Sequence, residues 1–175
     1  MAAEHTTGHS IWLIPESPEY HTYQELINNF SSRTGTPVFS PHITLLGQLP
    51  HDLDWLTSRF TTCFQQQRSL HISLHQVELQ DRYFRSIVLN VASNPALQGM
   101  HAQALACFQA EKMQPFEPHL SILYSDLTLP EKQALVNRHK ISYPQNLSLS
   151  EVQLVDTSGS PDQWQVLLKR RLSPT

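Results

Sequence analysis

The chain has 175 residues and carries 12 lysine and arginine residues against 15 aspartate and glutamate residues, a net charge of −3. This length suits one domain with a substantial hydrophobic core, or two small lobes that share an interface. The negative balance excludes a global basic field that would attract long nucleic acids, but it is compatible with a small phosphorylated ligand. No apolar run approaches the ~20 residues of a membrane span, and residues 1–9 lack the basic and apolar regions of a signal peptide. We therefore expect a cytoplasmic protein that does not bind membranes.

The first half of the chain predicts the order strand, helix, strand, helix, strand. Its strands are indicated by alternation at residues 10–14, at 42–45 and at 70–79, where a change of phase midway predicts a β-bulge. The first helix has an N-cap and a first-turn proline in Ser17 and Pro18. The apolar positions of both helices recur at helical spacing; they are Tyr23, Leu26, Ile27 and Phe30 in the first helix and Leu53, Leu56, Phe60 and Phe64 in the second.

The second half repeats this order and adds one strand. Its strands are expected at residues 86–90, at 119–122, at 147–155 with a second β-bulge, and at 164–172. Asn94 and Pro95 open the first helix of this half. Thr128 and Glu131 form a capping box that opens the second.

Short similarities between the halves recur in the same order at offsets of 75 to 80 residues. Residues 10–14 resemble residues 86–90, and residues 72–79 resemble residues 147–154. We interpret this as an internal duplication with halves at about 9–80 and 84–172. The predicted fold class is α+β, with a single bilobal domain over residues 1–175. Each lobe has an antiparallel-rich sheet covered by helices on its outer face, and the lobes face each other across a cleft on a pseudo-two-fold axis. We expect a monomer.

Each half carries one copy of the same phrase, in which a histidine, an apolar residue, a hydroxyl residue and an apolar residue follow one another. On a strand, His42 and Thr44 share one face, and His119 and Ser121 share the equivalent face. Histidine can act as base or acid at neutral pH, and a hydroxyl can donate a hydrogen bond to a phosphoryl oxygen. These four side chains predict cleavage of a phosphodiester without a metal or other cofactor. The sequence leaves open which histidine is the acid and which is the base.

This pair of motifs, one in each half, resembles the mark of the two-histidine phosphoesterase superfamily. The short chain, the proline before each histidine and the tyrosine at position 124 are similar to the small cyclic phosphodiesterases of the plant and fungal type. The resemblance implies hydrolysis of ADP-ribose 1″,2″-cyclic phosphate and nucleoside 2′,3′-cyclic phosphates to monoesters. It also implies that His42 and His119 are catalytic and that Tyr124 belongs to the site. Strict alternation from His119 puts Tyr124 on the opposite face, so it needs a strand end or a bulge to reach the substrate.

Several other side chains have two interpretations. Trp12 points either toward the cleft, where it could stack on a base, or into the core. Tyr83 and Phe84 either line the rim of the cleft or are ordinary hairpin residues. Cys63 and Cys107 are expected to be buried thiols on helices, with a disulfide between them left open.

Two other functions remain open at this stage. One is RNA 3′-end processing or a 2′-5′ RNA ligase-like activity, for which the partners would include short RNA ends in place of a small cyclic-phosphate nucleotide. The net charge argues mildly against that activity. The other is a non-catalytic nucleotide-binding module, which would not need both proton-transfer groups.

Overall fold

Seven strands and four α-helices follow one another in the order that the duplicated pattern predicts. The computed structural model describes residues 5–110, 115–140 and 145–175. Within these residues the elements are β1 (His9–Pro15), α1 (Glu19–Thr34), β2 (Ile43–Leu49), α2 (Leu53–Cys63), β3 (Leu70–Leu79), β4 (Ile87–Val91), α3 (Pro95–Cys107), β5 (His119–Leu123), α4 (Leu129–Arg138), β6 (Gln145–Asp156) and β7 (Gln165–Arg171). Two short 3₁₀ turns, Tyr83–Arg85 and Pro161–Gln163, precede β4 and β7.

The strands form one antiparallel sheet in the order β1-β2-β5-β4-β3-β6-β7, with an additional pairing of β1 and β6. This pairing crosses the sequence halves. The strands β2, β1 and β6 are neighbours on one side, and the equivalent strands β5, β4 and β3 are neighbours on the other. Each group therefore takes two strands from one half and its third strand from the other, so neither half completes its own sheet.

The two faces of the sheet have different surroundings. Helix α1 packs against β1 and β5, and α3 packs against β2 and β3. On β1, Ile11 and Leu13 point into the apolar core that these helices cover. The alternate residues Ser10 and Trp12 point to the other face, where they line a cavity. The α+β class with helices on one face and a cleft on the other is thus confirmed.

Both predicted β-bulges are present. In β3 the register against β4 shifts between Leu74 and Gln76. In β6, Ile14 faces Glu151 and Pro15 faces Leu149, so Ser150 is the extra residue. An extra residue bends a strand and increases its twist, which helps β6 to pair with β3 through its first residues and with β1 and β7 through the rest.

The helix ends agree with the sequence except at two positions. The Asn94 side chain accepts a hydrogen bond from the backbone of Leu97, and the capping box that opens α4 is formed. The expectation that Ser17 caps α1 is wrong, because Pro18 already has helical backbone angles and occupies the N-cap position. Leu53, which the sequence places on the apolar face of α2, is 44% exposed. It is the first residue of the helix, and the first buried residue of α2 is Leu56.

Both cysteines are free thiols. Cys63 is buried and Cys107 is half-buried. Burial, reinforced by a hydrogen bond with Cys107, raises the pKa of the Cys63 thiol to about 12, which keeps it protonated and unreactive. Among the described residues, no helix is both long and apolar enough to span a bilayer.

We expect Asp52→Ala to lower the free energy of unfolding by about 1 kcal/mol, because the Asp52 side chain accepts a hydrogen bond from the backbone of Trp55 at the start of α2. Asp54→Ala removes the same charge from the first turn of α2 and serves as the control, with an expected loss of a few tenths of a kcal/mol. Urea denaturation of both variants measures the difference. Equal losses would show that charge, and not the cap, stabilises this end.

Candidate active site

The two motif strands meet at equivalent positions. β2 and β5 are antiparallel and share the pair Ile43 and Leu120, which follow His42 and His119 in the two copies of the motif. A residue that pairs with its own repeat equivalent lies on the pseudo-two-fold axis. One step away from this pair, the same register sets His42 opposite Ser121 and Thr44 opposite His119.

All four polar side chains of the motifs therefore project to the face opposite Ile43 and Leu120. Directly opposed residues have Cβ atoms about 5 Å apart and diagonal neighbours about 7–8 Å apart. His42 and His119 form such a diagonal. Both line the same cavity, which has a volume of about 260 Å³. Its other lining residues are Thr6, Ser10, Trp12, Thr44, Gly47, Gln48, Phe84, Arg85, Ser121, Tyr124, Thr157 and Trp164.

Both histidines are held by the same backbone interaction. Nδ1 of His42 lies 2.7 Å from the carbonyl oxygen of Ser40, and Nδ1 of His119 lies 2.9 Å from the carbonyl oxygen of Glu117. A carbonyl oxygen can only accept, so Nδ1 carries the proton in each ring. In the neutral form, Nε2 is then left as a lone-pair acceptor that can take up a proton.

The surroundings of His42 are apolar. Its ring stacks on Trp12 with the centroids 3.7 Å apart and the planes at 9°, and Phe39 approaches it edge-on. The pKa of His42 is lowered to about 4, chiefly by burial and to a smaller extent by the nearby His119, while the hydrogen bond to Ser40 opposes the shift. His42 is therefore neutral over the physiological pH range.

The surroundings of His119 are charged. Burial lowers its pKa as well, but the hydrogen bond to the Glu117 carbonyl and the carboxylates of Glu117 and Glu78 act in the opposite direction, and Arg85 lowers it again. Glu78 is fixed by hydrogen bonds from Asn90 and Gln80, and Asn90 is the register partner of His119 on β4. Burial is the largest of these effects, so the pKa of His119 lies below its ordinary value, and the two carboxylates oppose a shift that no carboxylate opposes at His42.

Tyr124 reaches the cavity because β5 contains an irregularity and ends just before it, as the sequence analysis requires. Val88 faces Ser121, but Ile87 faces Leu123, so Ile122 is an extra residue in β5. This irregularity and the end of the strand turn Tyr124 to the cavity side, where it hydrogen-bonds with Ser121. Burial raises the pKa of the Tyr124 phenol, so it remains a neutral hydroxyl.

Trp12 lines the cavity and is also 4% exposed. It is the register partner of Thr44, which sets it beside the motif. One face of its indole is covered by the His42 ring. Trp12 thus combines both interpretations, because it borders the cavity and packs as part of the buried structure.

Three larger side chains of the cavity lie in turns. Phe84 and Arg85 belong to the 3₁₀ turn before β4, and Trp164 immediately precedes β7. Phe84 lines the cavity, whereas Tyr83 is buried and contacts the rings of Phe84 and Tyr124. Arg85 carries no periodic signal, and Trp164, the first residue of the strand expected at 164–172, lies just before β7. The one available hint for Arg85 was its position next to Ser86, at the start of the repeat.

Comparisons with known proteins identify a family, related chains and similar folds. A family model described as "Cyclic phosphodiesterase-like protein" matches residues 7–172. The chain is 23% identical over 125 residues to a cyclic phosphodiesterase of Arabidopsis thaliana, covering 71% of this chain and 69% of the relative. It is 26% identical over 153 residues to a 2′,3′-cyclic-nucleotide 3′-phosphodiesterase of Kluyveromyces lactis, covering 74% and 69%. Crystal structures of E. coli LigT superpose with a TM-score of 0.62, both in the apo form at 14% identity, covering 99% of each chain, and in complex with 3′-AMP at 13% identity, covering 97% and 99%.

We expect an NMR titration of His42 to give a pKa of about 4, because burial disfavours the imidazolium. In the unfolded chain His42 is protonated as the pH falls below about 6.5, whereas in the folded protein it is protonated only near pH 4. Stability is therefore lost as the pH falls through this window, by about 3 kcal/mol from this group. Urea denaturation at pH 7 and pH 4.5 should show a smaller loss for His42→Asn than for the wild type. His21→Asn should behave like the wild type. Equal pH dependence in all three proteins would contradict the burial of a neutral His42.

Proposed function

Because the chain belongs to the cyclic phosphodiesterase-like family of the two-histidine phosphoesterase superfamily, we propose that it hydrolyses 2′,3′-cyclic nucleotides and ADP-ribose 1″,2″-cyclic phosphate to phosphomonoesters, with His42 and His119 as general base and acid. The observation that carries this proposal is the pairing of Ile43 with Leu120, since that register brings both histidines and both hydroxyl residues to one cavity. The names of the relatives support the cyclic phosphodiester as the bond that is cleaved.

The reaction needs two proton transfers and a place for negative charge. Water attacks phosphorus and loses a proton to the base, while the bond from phosphorus to one ring oxygen breaks and that oxygen gains a proton from the acid. Two histidines on opposite sides of one phosphate suit such an in-line displacement. Thr44, Ser121 and Tyr124 supply hydroxyl groups that donate to the non-bridging oxygens, where charge develops.

The unequal surroundings of the histidines favour one assignment of the roles. His42 is neutral, its Nδ1 is committed to Ser40, and its Nε2 is free to accept the proton of water. Burial lowers the pKa of His119 as well, but the carboxylates of Glu78 and Glu117 oppose that shift, and His42 has no such partner. His42 is therefore the base for hydrolysis and His119 the acid.

The cavity favours a small substrate over a long RNA. Its volume of about 260 Å³ is slightly below the usual range for small-molecule sites, which is about 300–1,000 Å³. Among the described residues that line it, Arg85 is the one with a permanent positive charge, whereas a groove for an RNA strand would present a series of cations along the backbone. The aromatic side chains Trp12, Phe84 and Trp164 offer apolar surface for a base. A comparison of a cyclic mononucleotide with an oligonucleotide that ends in a cyclic phosphate would separate the two substrate classes.

His42→Ala and His119→Ala should each lower kcat on a 2′,3′-cyclic nucleotide by about 10²–10⁴-fold, because each removes one proton-transfer group. The measurement is the initial rate of monoester formation, made with EDTA present so that a dependence on divalent metals is tested at the same time. His21→Ala, which removes an exposed histidine of α1, is the matched control and should retain wild-type activity. Near-normal turnover by either active-site variant with an intact fold would contradict the paired acid–base scheme, and loss of wild-type turnover in EDTA would contradict metal independence.

The two roles can be separated with an activated substrate. The leaving oxygen of bis(p-nitrophenyl) phosphate departs without a proton, so it needs the base but not the acid. We expect His119→Ala to stay within about tenfold of the wild type on this diester, while His42→Ala keeps its full loss of about 10²–10⁴-fold. The reverse pattern would exchange the roles of the two histidines.

A further inference from the structure

Arg85 is a charged residue in a cavity wall that is otherwise made of hydroxyl, amide, imidazole and aromatic groups. It ends the 3₁₀ turn before β4. Its side chain is 20% exposed. It lies close enough to His119 for its charge to act on that ring, which sets it on the same side of the cavity as the predicted acid.

The guanidinium group of Arg85 is only partly satisfied. Nη1 donates a hydrogen bond of 3.0 Å to Oε2 of Glu117. Nε is buried and has no hydrogen-bond partner among the described residues. A buried donor without an acceptor is unfavourable, and the edge of a guanidinium group that includes Nε matches two oxygens of a phosphate.

Glu117 connects this cation to the histidine. Its carboxylate accepts from Arg85, and its backbone carbonyl accepts from Nδ1 of His119. One residue therefore orients both side chains through different atoms. The ion pair contributes little to stability, because the Glu117 side chain is 64% exposed. It also leaves Nε of Arg85 without a hydrogen-bond partner, so stabilising the fold does not account for the position of Arg85.

We propose that Arg85 is a phosphate ligand of this site, whose side chain shifts on binding so that its Nε edge donates to a non-bridging oxygen next to His119, and that Glu117 is the positioning residue that anchors Nη1. The inference rests on the proposed function for its substrate, a cyclic phosphodiester. It adds a fixed positive charge where the hydroxyls of Thr44 and Ser121 offer only dipoles, and this charge stabilises the oxygens most strongly when they gain negative charge during attack.

The test compares Arg85→Met and Arg85→Lys with Arg82→Met, which removes the same charge from an exposed side chain three residues earlier in the same segment. Binding of 3′-AMP and of inorganic phosphate is measured by calorimetry, and turnover is measured on a 2′,3′-cyclic nucleotide. We expect Arg85→Met to weaken phosphate binding by about 10–100-fold, the range for loss of a charged hydrogen bond, and to lower kcat/KM by at least as much. Arg85→Lys should recover part of this loss, and Arg82→Met should stay within about twofold of the wild type, because a distant exposed charge is screened.

A second readout separates ligation from structural support. Glu117→Gln removes the carboxylate but retains the backbone carbonyl that holds His119. Because Arg85 lowers the pKa of His119 and the Glu117 carboxylate raises it, Arg85→Met should raise the pKa of His119 in an NMR titration and Glu117→Gln should lower it. A loss of packing would not move the pKa in opposite directions in the two variants.

Each outcome has a definite meaning. Phosphate binding by Arg85→Met at wild-type strength, or an equal loss in Arg82→Met, would overturn the assignment of Arg85. If Arg85→Met does not fold, weaker phosphate binding by folded Arg85→Lys supports the proposal, and unchanged binding by that variant overturns it. A wild-type protein that binds phosphate through Arg85 but does not turn over cyclic nucleotides would contradict the proposed function and leave the phosphate site in place.

Discussion

The backbone pairing of Ile43 with Leu120 is the constraint on which the site depends. The two residues are equivalent in the duplicated sequence, so their contact marks the pseudo-two-fold axis. β2 and β5 are each supported on the outer side, by β1 and β4, and this support allows one shared pair to fix their relative register. A slip of one residue would turn every motif side chain to the other face of its strand. The alternation of polar and apolar residues within the motifs opposes such a slip, because it would bury His42 and Thr44 among the core residues that contact the helices.

Symmetry positions the two histidines, and departures from symmetry make them chemically different. Both rings donate from Nδ1 to the carbonyl of the residue two positions earlier. Beyond that shared interaction, His42 packs on Trp12, whereas the second half has Val88 at the equivalent position and charged residues around His119. An acid–base reaction needs two titratable groups with different environments; burial lowers the pKa of both histidines, but only His119 has nearby carboxylates that oppose the shift. The duplication thus gives both histidines the same backbone hydrogen bond, and under the proposed function the different side chains around them separate the base from the acid.

The sequence predicts those features that are encoded by periodicity. The element order, the capping residues Asn94 and Thr128, the bulges in β3 and β6 and the common face of His42 and Thr44 all follow from local patterns, and the structure agrees with them. Strand exchange between the halves is not encoded in this way, because a repeat shows which strands are equivalent but not which ones are neighbours. Arg85 and Trp164 were missed since turn residues have no alternation from which the direction of a side chain can be inferred. The stacking of Trp12 on His42 joins residues from two strands and depends on their register, which no single segment contains.

Four buried side-chain polar atoms of the described residues lack a hydrogen-bond partner, and two of them belong to side chains that line the cavity, whereas His9 Nδ1 does not. Among the described residues, the Arg85 Nε and Trp164 Nε1 atoms are buried without a hydrogen-bond partner, and both side chains line the cavity. Gln153, whose Oε1 is also unpaired, is the register partner of Trp12 on β6. Each such atom reduces stability by an amount of the order of 1–3 kcal/mol. The two donors that line the cavity are enclosed by their neighbours, so under the proposed function a phosphate oxygen would satisfy either one only after its side chain shifts, and part of this free energy would be recovered on binding. Tyr124 and Ser121 are hydrogen-bonded to each other, so neither buried hydroxyl is unpaired, and under the proposed function both would turn to the phosphate.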